Sequence, residues 1–337
     1  MELSRTLKKS LLLLSVVIAF VFLGCSSKKV FEPKDVKEDW AYYGNAKSKI
    51  INVTSNTAML ETREVLVQDR LLDIKIDESY KLLGSSDGWV LSSTIDGQLK
   101  IDFIADKMLT KKFNLKKTIA AASIQDDILA VLFANNDMAL YSISQNSLLV
   151  QVQGTPAIVV DDRIASPYFM NDLVLFLTLD GKIVIVNSQS KKKLRTTIVS
   201  TDDNFNNVIY FNVVDNKLIA ATSTKILSMA DKEIRVSYEI RDIVSFEKEI
   251  FITTKEGEVV SLTPDLQLIS KIKFPFAHFL GLIVHNEKLY ILEKQGYLIE
   301  VSKDLQTHTI YEVNVGDGFV YEADKLFYVK DEYISLE

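Results

Sequence analysis

One hairpin recurs along this chain at a near-constant interval, and that interval limits what the chain can fold into. LVLFLT-LDG-KIVIVN (173–187) joins two apolar runs through Asp180-Gly181. WVLSST-IDG-QLKIDFI (89–104), ILAVLFA-NND-MALYSI (128–143), IFITT-KEG-EVVSLT (250–263), KLYILE-KQG-YLIEVS (288–302) and LFYV-KDE-YISL (326–336) repeat the pattern. Fainter copies are TAMLETREVLVQ (57–68) and KLIAATSTKILSM (217–229). Gly and Asp accept the positive φ of tight hairpin turns, so Asp-Gly between β-branched runs is a strong hairpin signal.

Turn to turn, Gly97 to Asp137 is 40 residues, Asp137 to Gly181 is 44, and Gly257 to Gly296 is 39. Gly181 to Gly257 is 76, two periods with a faint copy between. A short apolar strand precedes each hairpin, as in IAAASIQDD, VIYFNVVDN, IVSFEKE and LIVHNE, and a further strand follows it, as in LLVQVQG, LRTTIV, IRVSYEI, LISKIKF and THTIYEV. Four strands in about 40 residues make one propeller blade. Runs such as LVLFL and LAVLF are apolar at nearly every position, as strands sandwiched between neighbouring sheets should be. No helical periodicity follows residue 24. The expected fold is therefore an all-β propeller of four-stranded blades, with a β-sandwich or solenoid as rival.

Eight hairpins favour eight blades, or seven if the copy at 57–68 is only a closing hairpin. The last unit has three strands (GFVYEA, KLFYV, YISL) and lacks a fourth. A segment around Trp40–Tyr43 or Lys49–Val53 is expected to supply it and close the ring.

The amino terminus addresses location. Arg5, Lys8 and Lys9 precede 13 largely apolar residues, Leu11 to Leu23, and Gly24-Cys25 end the run. A membrane-spanning helix needs about 20 residues, so this is the pattern of an export signal. Phe22-Leu23-Gly24-Cys25 resembles the lipobox of bacterial lipoproteins, with Phe22 where Leu is usual. That resemblance implies cleavage between Gly24 and Cys25, an S-diacylglycerol on Cys25 and acylation of its new amino group. An ordinary signal peptide, or an uncleaved anchor, with an incidental cysteine is the plainer alternative. Cys25 is the only cysteine, so no disulfide within the chain is possible. Ser26 and Ser27 follow with no Asp, which by resemblance to enteric sorting favours the outer membrane. The expected domains are a signal peptide over 1–24, a lipidated cysteine and polar tether over 25–45 (SSKKVFEPKDVKED being its core), and a propeller over 46–337.

Removing residues 1–24 takes away Glu2 and three bases, so a net charge of −6 becomes −8. Nucleic-acid binding needs a basic surface, and this composition argues against it.

Signal, lipobox, polar tether and an eightfold hairpin series together resemble the BamB-type propeller lipoproteins of the outer-membrane β-barrel assembly machinery. DGKIVIVNSQSKKKLRTTIV (180–199) is similar to a repeat of pyrroloquinoline-quinone type. The usual second-turn Gly and closing Trp of that repeat are missing from most blades, and only Trp40 and Trp89 exist. The resemblance implies a non-catalytic periplasmic scaffold on the outer membrane that contacts the assembly machinery. A surface-exposed adhesin or ligand-binding module is the alternative, and a quinone-dependent dehydrogenase a distant third. The dehydrogenase resemblance asks for a vicinal disulfide, which one cysteine cannot form.

No catalytic, cofactor-binding or metal-binding residue is assigned. His278, His285 and His308 have no HxH or HExxH spacing, and neither GxSxG nor a phosphate-binding glycine loop occurs. Asp161-Asp162 and Asp202-Asp203 are acidic pairs; the latter, in TDDNFNN with Phe205 and Asn206, reads as a solvated inter-blade loop or else as a calcium or partner contact. Lys191–Lys193 reads as surface charge, and Asn52-Val53-Thr54 as an incidental glycosylation triplet. Cofactors and metals are not expected. The expected partners are a membrane, through the anchor, and another protein.

Overall fold

The computed structural model describes residues 29–336. The cleavage and lipidation positions, Gly24 and Cys25, lie outside the described residues. Within them are eight antiparallel four-stranded sheets, giving an eight-bladed propeller. Blade 1 holds Ile50–Val53, Thr57–Leu60, Glu64–Val67 and Arg70–Lys75, and blade 2 runs from Lys81–Ser86 to Thr110–Asn114. Blade 3 holds Ile119–Gln125, Ile128–Phe133, Met138–Ser142 and Ser147–Val152. Blades 4, 5, 6 and 7 begin at Tyr168–Met170, Tyr210–Val214, Ile240–Phe246 and Phe279–His285.

Blade 8 closes the ring. Val320–Ala323, Leu326–Val329 and Glu332–Ser335 pair in order, and Tyr43–Asn45 adds the fourth strand with Tyr43 opposite Ile334 and Asn45 opposite Glu332. The ring thus takes in three residues that the sequence reading places in the tether. The copy at 57–68 belongs to a full blade, so the count is eight.

The core is divided into eight apolar seams, one between each pair of neighbouring blades. In blade 3, Leu129, Val131 and Phe133 enter the seam toward blade 2, while Ala130 and Leu132 enter the seam toward blade 4. Side chains alternate across a strand, so a strand with a sheet on each side must be apolar at every position. Each fully buried Leu or Val contributes about 1.5–3 kcal/mol. Outer strands face solvent on one side and alternate, as Glu233–Ser237 does from exposed to half-buried.

The hairpin turns work as the Asp-Gly signal implies. Gly97, Gly181 and Gly257 have φ of +86°, +77° and +75°. A Cβ on Gly181 would stand 2.4 Å from Asn206 Nδ2 and 2.6 Å from Ser200 O. Thr254 ends the strand before its turn, Thr94 and Thr178 directly follow theirs, and the three hydroxyls accept from the backbone N–H of Glu258, Gln98 and Lys182 at 3.1, 3.0 and 3.0 Å. Alternation of turns places the second-to-third-strand hairpins and the inter-blade connections on one face of the disc. The remaining turns lie on the other face.

The segment expected to be a free tether is docked from Lys29 onward. Phe31 is buried in the seam between blades 6 and 7, edge-on to Phe274 and Tyr297. Lys37 N donates to Ile310 O (2.8 Å) and Trp40 N to Glu312 O (3.0 Å), so the chain follows the outer strand of blade 7 before entering blade 8.

Candidate functional site: the channel mouth and a loop platform

Polar groups gather where the innermost strands of several blades converge. Asp242 in blade 6 and Glu322 in blade 8 stand within hydrogen-bonding reach of each other, although a whole blade separates them in the ring. Between them, in blade 7, Leu282 N donates to Glu322 Oε1 at 3.2 Å. Gly281 makes this approach possible: a Cβ there would meet Glu322 Oε1 at 2.6 Å. Register shifts between Ile240 and Asp242 and between Phe279 and Gly281 mark bulges in these inner strands, and bulges re-aim side chains.

Burial raises the pKa of Asp242, and burial together with the Asp242 charge raises that of Glu322 well above the usual carboxylate range. An acid whose folded pKa is raised contributes stability that is full below its unfolded pKa and is lost as pH rises through the folded value. Glu322→Gln is therefore expected to stabilise the fold by about 1 kcal/mol at pH 8, because it removes a half-buried carboxylate packed beside another. At pH 4 the gain should vanish. Urea unfolding at the two pH values checks this, and an equal or unfavourable effect at both would remove the acidic pair from the argument.

Two long inter-blade connections form a raised platform beside this mouth. Residues 153–167 lead from blade 3 to blade 4, and residues 199–209 from blade 4 to blade 5. Asn207, fully buried, clips them together: its Oδ1 accepts from Asp161 N (2.6 Å), and its Nδ2 donates to Asp161 O (3.3 Å) and Arg163 O (2.8 Å). Phe205 N donates to Val159 O at 3.1 Å, and Ser223 Oγ donates to Phe205 O at 2.9 Å. The clip leaves large apolar side chains outside: Ile158 is 93% exposed and Phe205 51%. Phe205 also holds a φ of +52°, a strained value for an aromatic residue.

Arg163 connects platform and channel. Its Nε and Nη2 donate to Asp161 Oδ1 and Oδ2 at 2.9 and 2.6 Å, and Nη1 donates to Arg241 O at 2.6 Å. Burial would raise the Asp161 pKa, but the guanidinium outweighs it and holds the carboxyl at about 2. The neighbouring Asp161 carboxylate raises that of Asp162, which is exposed.

The residues weighed from sequence divide accordingly. Asp161 is a built ion pair rather than a solvated turn. Asp202 accepts from the Thr224 hydroxyl, while Asn206 braces the Asp180-Gly181 turn through Asp180 O (3.2 Å) and Ser200 O (3.1 Å). Lys191–Lys193 is exposed, as expected of surface charge. Asn52 lies in the innermost strand of blade 1. The histidines do not converge: His308 stacks edge-on to Phe274 at 5.2 Å, His285 ends the first strand of blade 7, and His278 N donates to Glu293 Oε1. Among the described residues no group of three or more His, Cys, Asp and Glu is placed to hold a metal ion. Sequence reasoning missed Arg163, Asn207, Asp242 and Glu322. Only Arg163, directly after two aspartates, carried a local signal.

Fold and platform define a class: a ring-closed eight-bladed propeller with a charged channel mouth and an apolar loop platform on one face. The chain belongs to the RSE1/DDB1/CPSF1 second beta-propeller family, whose model matches residues 95–312. It is 26% identical over 367 aligned positions to the plasminogen-binding protein PgbB of Helicobacter pylori strain J99, covering 95% of this chain and 68% of that protein. The PgbB of strain 26695 is 25% identical, covering 93% and 67%. The crystal structure of BamB from Moraxella catarrhalis superposes with a TM-score of 0.67 at 12% identity, over 87% of this chain and 98% of that one, which shows a BamB-like propeller.

Proposed function

We propose that this chain is a lipid-anchored, non-catalytic propeller of the outer membrane that binds another protein through its loop platform. The platform carries this reading: two connections fastened by Asn207 hold Ile158 and Phe205 out in solvent. Exposed apolar side chains on a rigid frame lose little conformational entropy when a partner covers them. The anchor rests on the lipobox-like run ending at Cys25, and acyl chains there confine the partner search to a surface. The likeness of the blades to degenerate repeats of pyrroloquinoline-quinone type belongs to the same reading.

Two partner classes follow from different observations. Likeness to BamB is one of fold, and it supports a scaffold that assists β-barrel assembly from the periplasmic side. Relatives over almost the whole chain are plasminogen-binding proteins, and they support a surface-exposed module that binds an extracellular protein. Sequence similarity extending over 95% of the chain weighs more than a shared fold, so binding of an extracellular protein is the favoured reading.

A photo-crosslinking residue at Phe205 or Ile158, activated in intact cells with and without purified plasminogen, tests the platform. Crosslinks to plasminogen, together with clipping of the propeller by protease added to intact cells, support the surface role. Crosslinks to an outer-membrane barrel in a protease-protected protein support the assembly role. Crosslinks to neither, with a control position on the opposite face giving the same pattern, would sink the platform as the binding site. Cys25→Ser should release the protein from membranes into the soluble fraction.

A further inference from the structure

The docked amino-terminal segment and its surroundings point to how the disc sits on a membrane. We propose that the rim between blades 6 and 7 rests against a phospholipid bilayer, held there by residues 29–40, so that one edge of the disc always faces the lipid. The proposal builds on the reading of Cys25 as lipidated and specifies what that anchor does.

Three observations carry it. The first is attachment. Lys29 to Asp35 line a groove of ≈ 820 Å³ with Phe274, Phe276 and His308 of blades 6 and 7 and the connection between them. Phe31 is buried at its inner end, and Lys37 and Trp40 bond to the outer strand of blade 7. The segment is thus fastened at successive points up to the closing strand.

The second is length. Four residue steps separate Cys25 from Lys29, and extended chain spans at most ~3.6 Å per residue, or about 14 Å. A domain of this size has a radius of gyration of roughly 19 Å. An anchor shorter than that radius keeps its own edge of the disc near the bilayer. Had residues 25–45 been a free tether, the reach would be several times greater and the disc could present any side.

The third is chemistry. Phe276 is 57% exposed and Val30 39% exposed, and the Lys29 ammonium stands 5.4 Å above the Phe276 ring. Lys34 and Lys273 are exposed beside them, as are Glu32 and Asp35, so with Lys29 the groove carries three ammonium groups against two carboxylates. An aromatic ring and an aliphatic side chain with ammonium groups around them match the boundary between acyl chains and phosphate headgroups, where Lys stems lie along apolar surface and the charge reaches water or phosphate. Stable membrane attachment commonly combines a lipid chain with such a second signal. The Ile158–Phe205 platform lies two to three blades round the ring on the same face and remains open to a partner.

Chemical lipidation tests this separately from acylation in cells. The mature chain from Cys25 onward has a single thiol, which can be coupled to a maleimide phospholipid in phosphatidylethanolamine–phosphatidylglycerol vesicles with brominated acyl chains. Tryptophan is placed at the rim by Phe276→Trp, or on the opposite face by Met108→Trp, where Met108 is 91% exposed. After subtraction of the parent signal from Trp40 and Trp89, Trp at 276 should be quenched at least threefold more than Trp at 108. Phe31→Ala should reduce the quenching at 276 to the level seen at 108. Lys37→Pro, which removes the N–H bonded to Ile310 O and leaves Phe31 in place, should weaken it in the same direction. Equal quenching at both sites, or no loss when the segment is released in a folded variant, would overturn the proposal. The mass of the mature protein from cells reports independently whether Cys25 is acylated.

Discussion

Trp40→Ala should lower stability by about 3–5 kcal/mol, the range for removing a large buried aromatic side chain. Trp40 is 6% exposed and lies three residues before the strand that closes the ring. Its ring meets Tyr311, Tyr42 and Tyr290 edge-on at 4.8, 5.7 and 6.2 Å, and Nε1 donates to Ser335 O at 2.9 Å. It therefore joins blade 7, the third strand of blade 8 and the closing segment in one seam. Losing it leaves a cavity and weakens the hold on Tyr43–Asn45, a strand of only three residues. The urea midpoint should fall with an unchanged slope if the ring still opens as one unit. Trp40→Phe keeps most of the packing and should lose about 1 kcal/mol, the net worth of the hydrogen bond. A loss below 1 kcal/mol in the alanine variant would mean that the ring is closed by other contacts.

Arg163→Met should cost about 2 kcal/mol near pH 7, and the cost should shrink as the solution is acidified. Asp161 has an ordinary pKa of 3.8 and a folded value of about 2. A carboxyl with a depressed folded pKa contributes stability that is present above its unfolded pKa and lost as pH falls through the folded value. The shift corresponds to about 2 kcal/mol at roughly 1.4 kcal/mol per unit. Removing the guanidinium takes away most of this contribution, leaving the backbone N–H of residue 163 on Asp161 Oδ1, and deprives Arg241 O of its donor. The gap between wild type and variant should be widest above pH 4 and should narrow toward pH 2. A gap independent of pH would mean that Arg163 acts by packing alone. Because Asn207 holds the same loop through backbone groups, the platform should remain folded in the variant, and any loss of partner crosslinking could be read as an effect of charge.

Blade structure was legible because every residue in a middle strand answers to the same demand. Leu129 through Phe133 must be apolar whichever neighbouring sheet each side chain meets, and Thr178 through Lys182 must turn sharply in place. Such demands are local, so they appear as a pattern with a period. The channel mouth was not legible. Asp242 and Glu322 are 80 residues apart, and they meet only because two inner strands converge near one axis. Asn207 looked like one more polar residue in a turn-rich stretch, yet it is fully buried and carries the loop contacts. The charges and Pro33 of residues 26–39 predict a polar tether. Phe31, a single aromatic residue in that polar run, and Trp40 just past its end decide otherwise because seams at the disc edge have room for them.

From sequence alone came the all-β class, the blade repeat, a preference for eight blades over seven and the need for an amino-terminal strand to finish the last blade; the full blade around 57–68 then fixed the count at eight. Each follows from side-chain alternation and turn conformation, which act within a few residues. Only the tertiary structure decided that the leading segment lies fixed along blade 7, that Arg163 spans platform and channel, and that Glu322 shares its site with another acid. Those outcomes depend on which groups a closed ring brings together across long stretches of chain, and no local pattern encodes that distance.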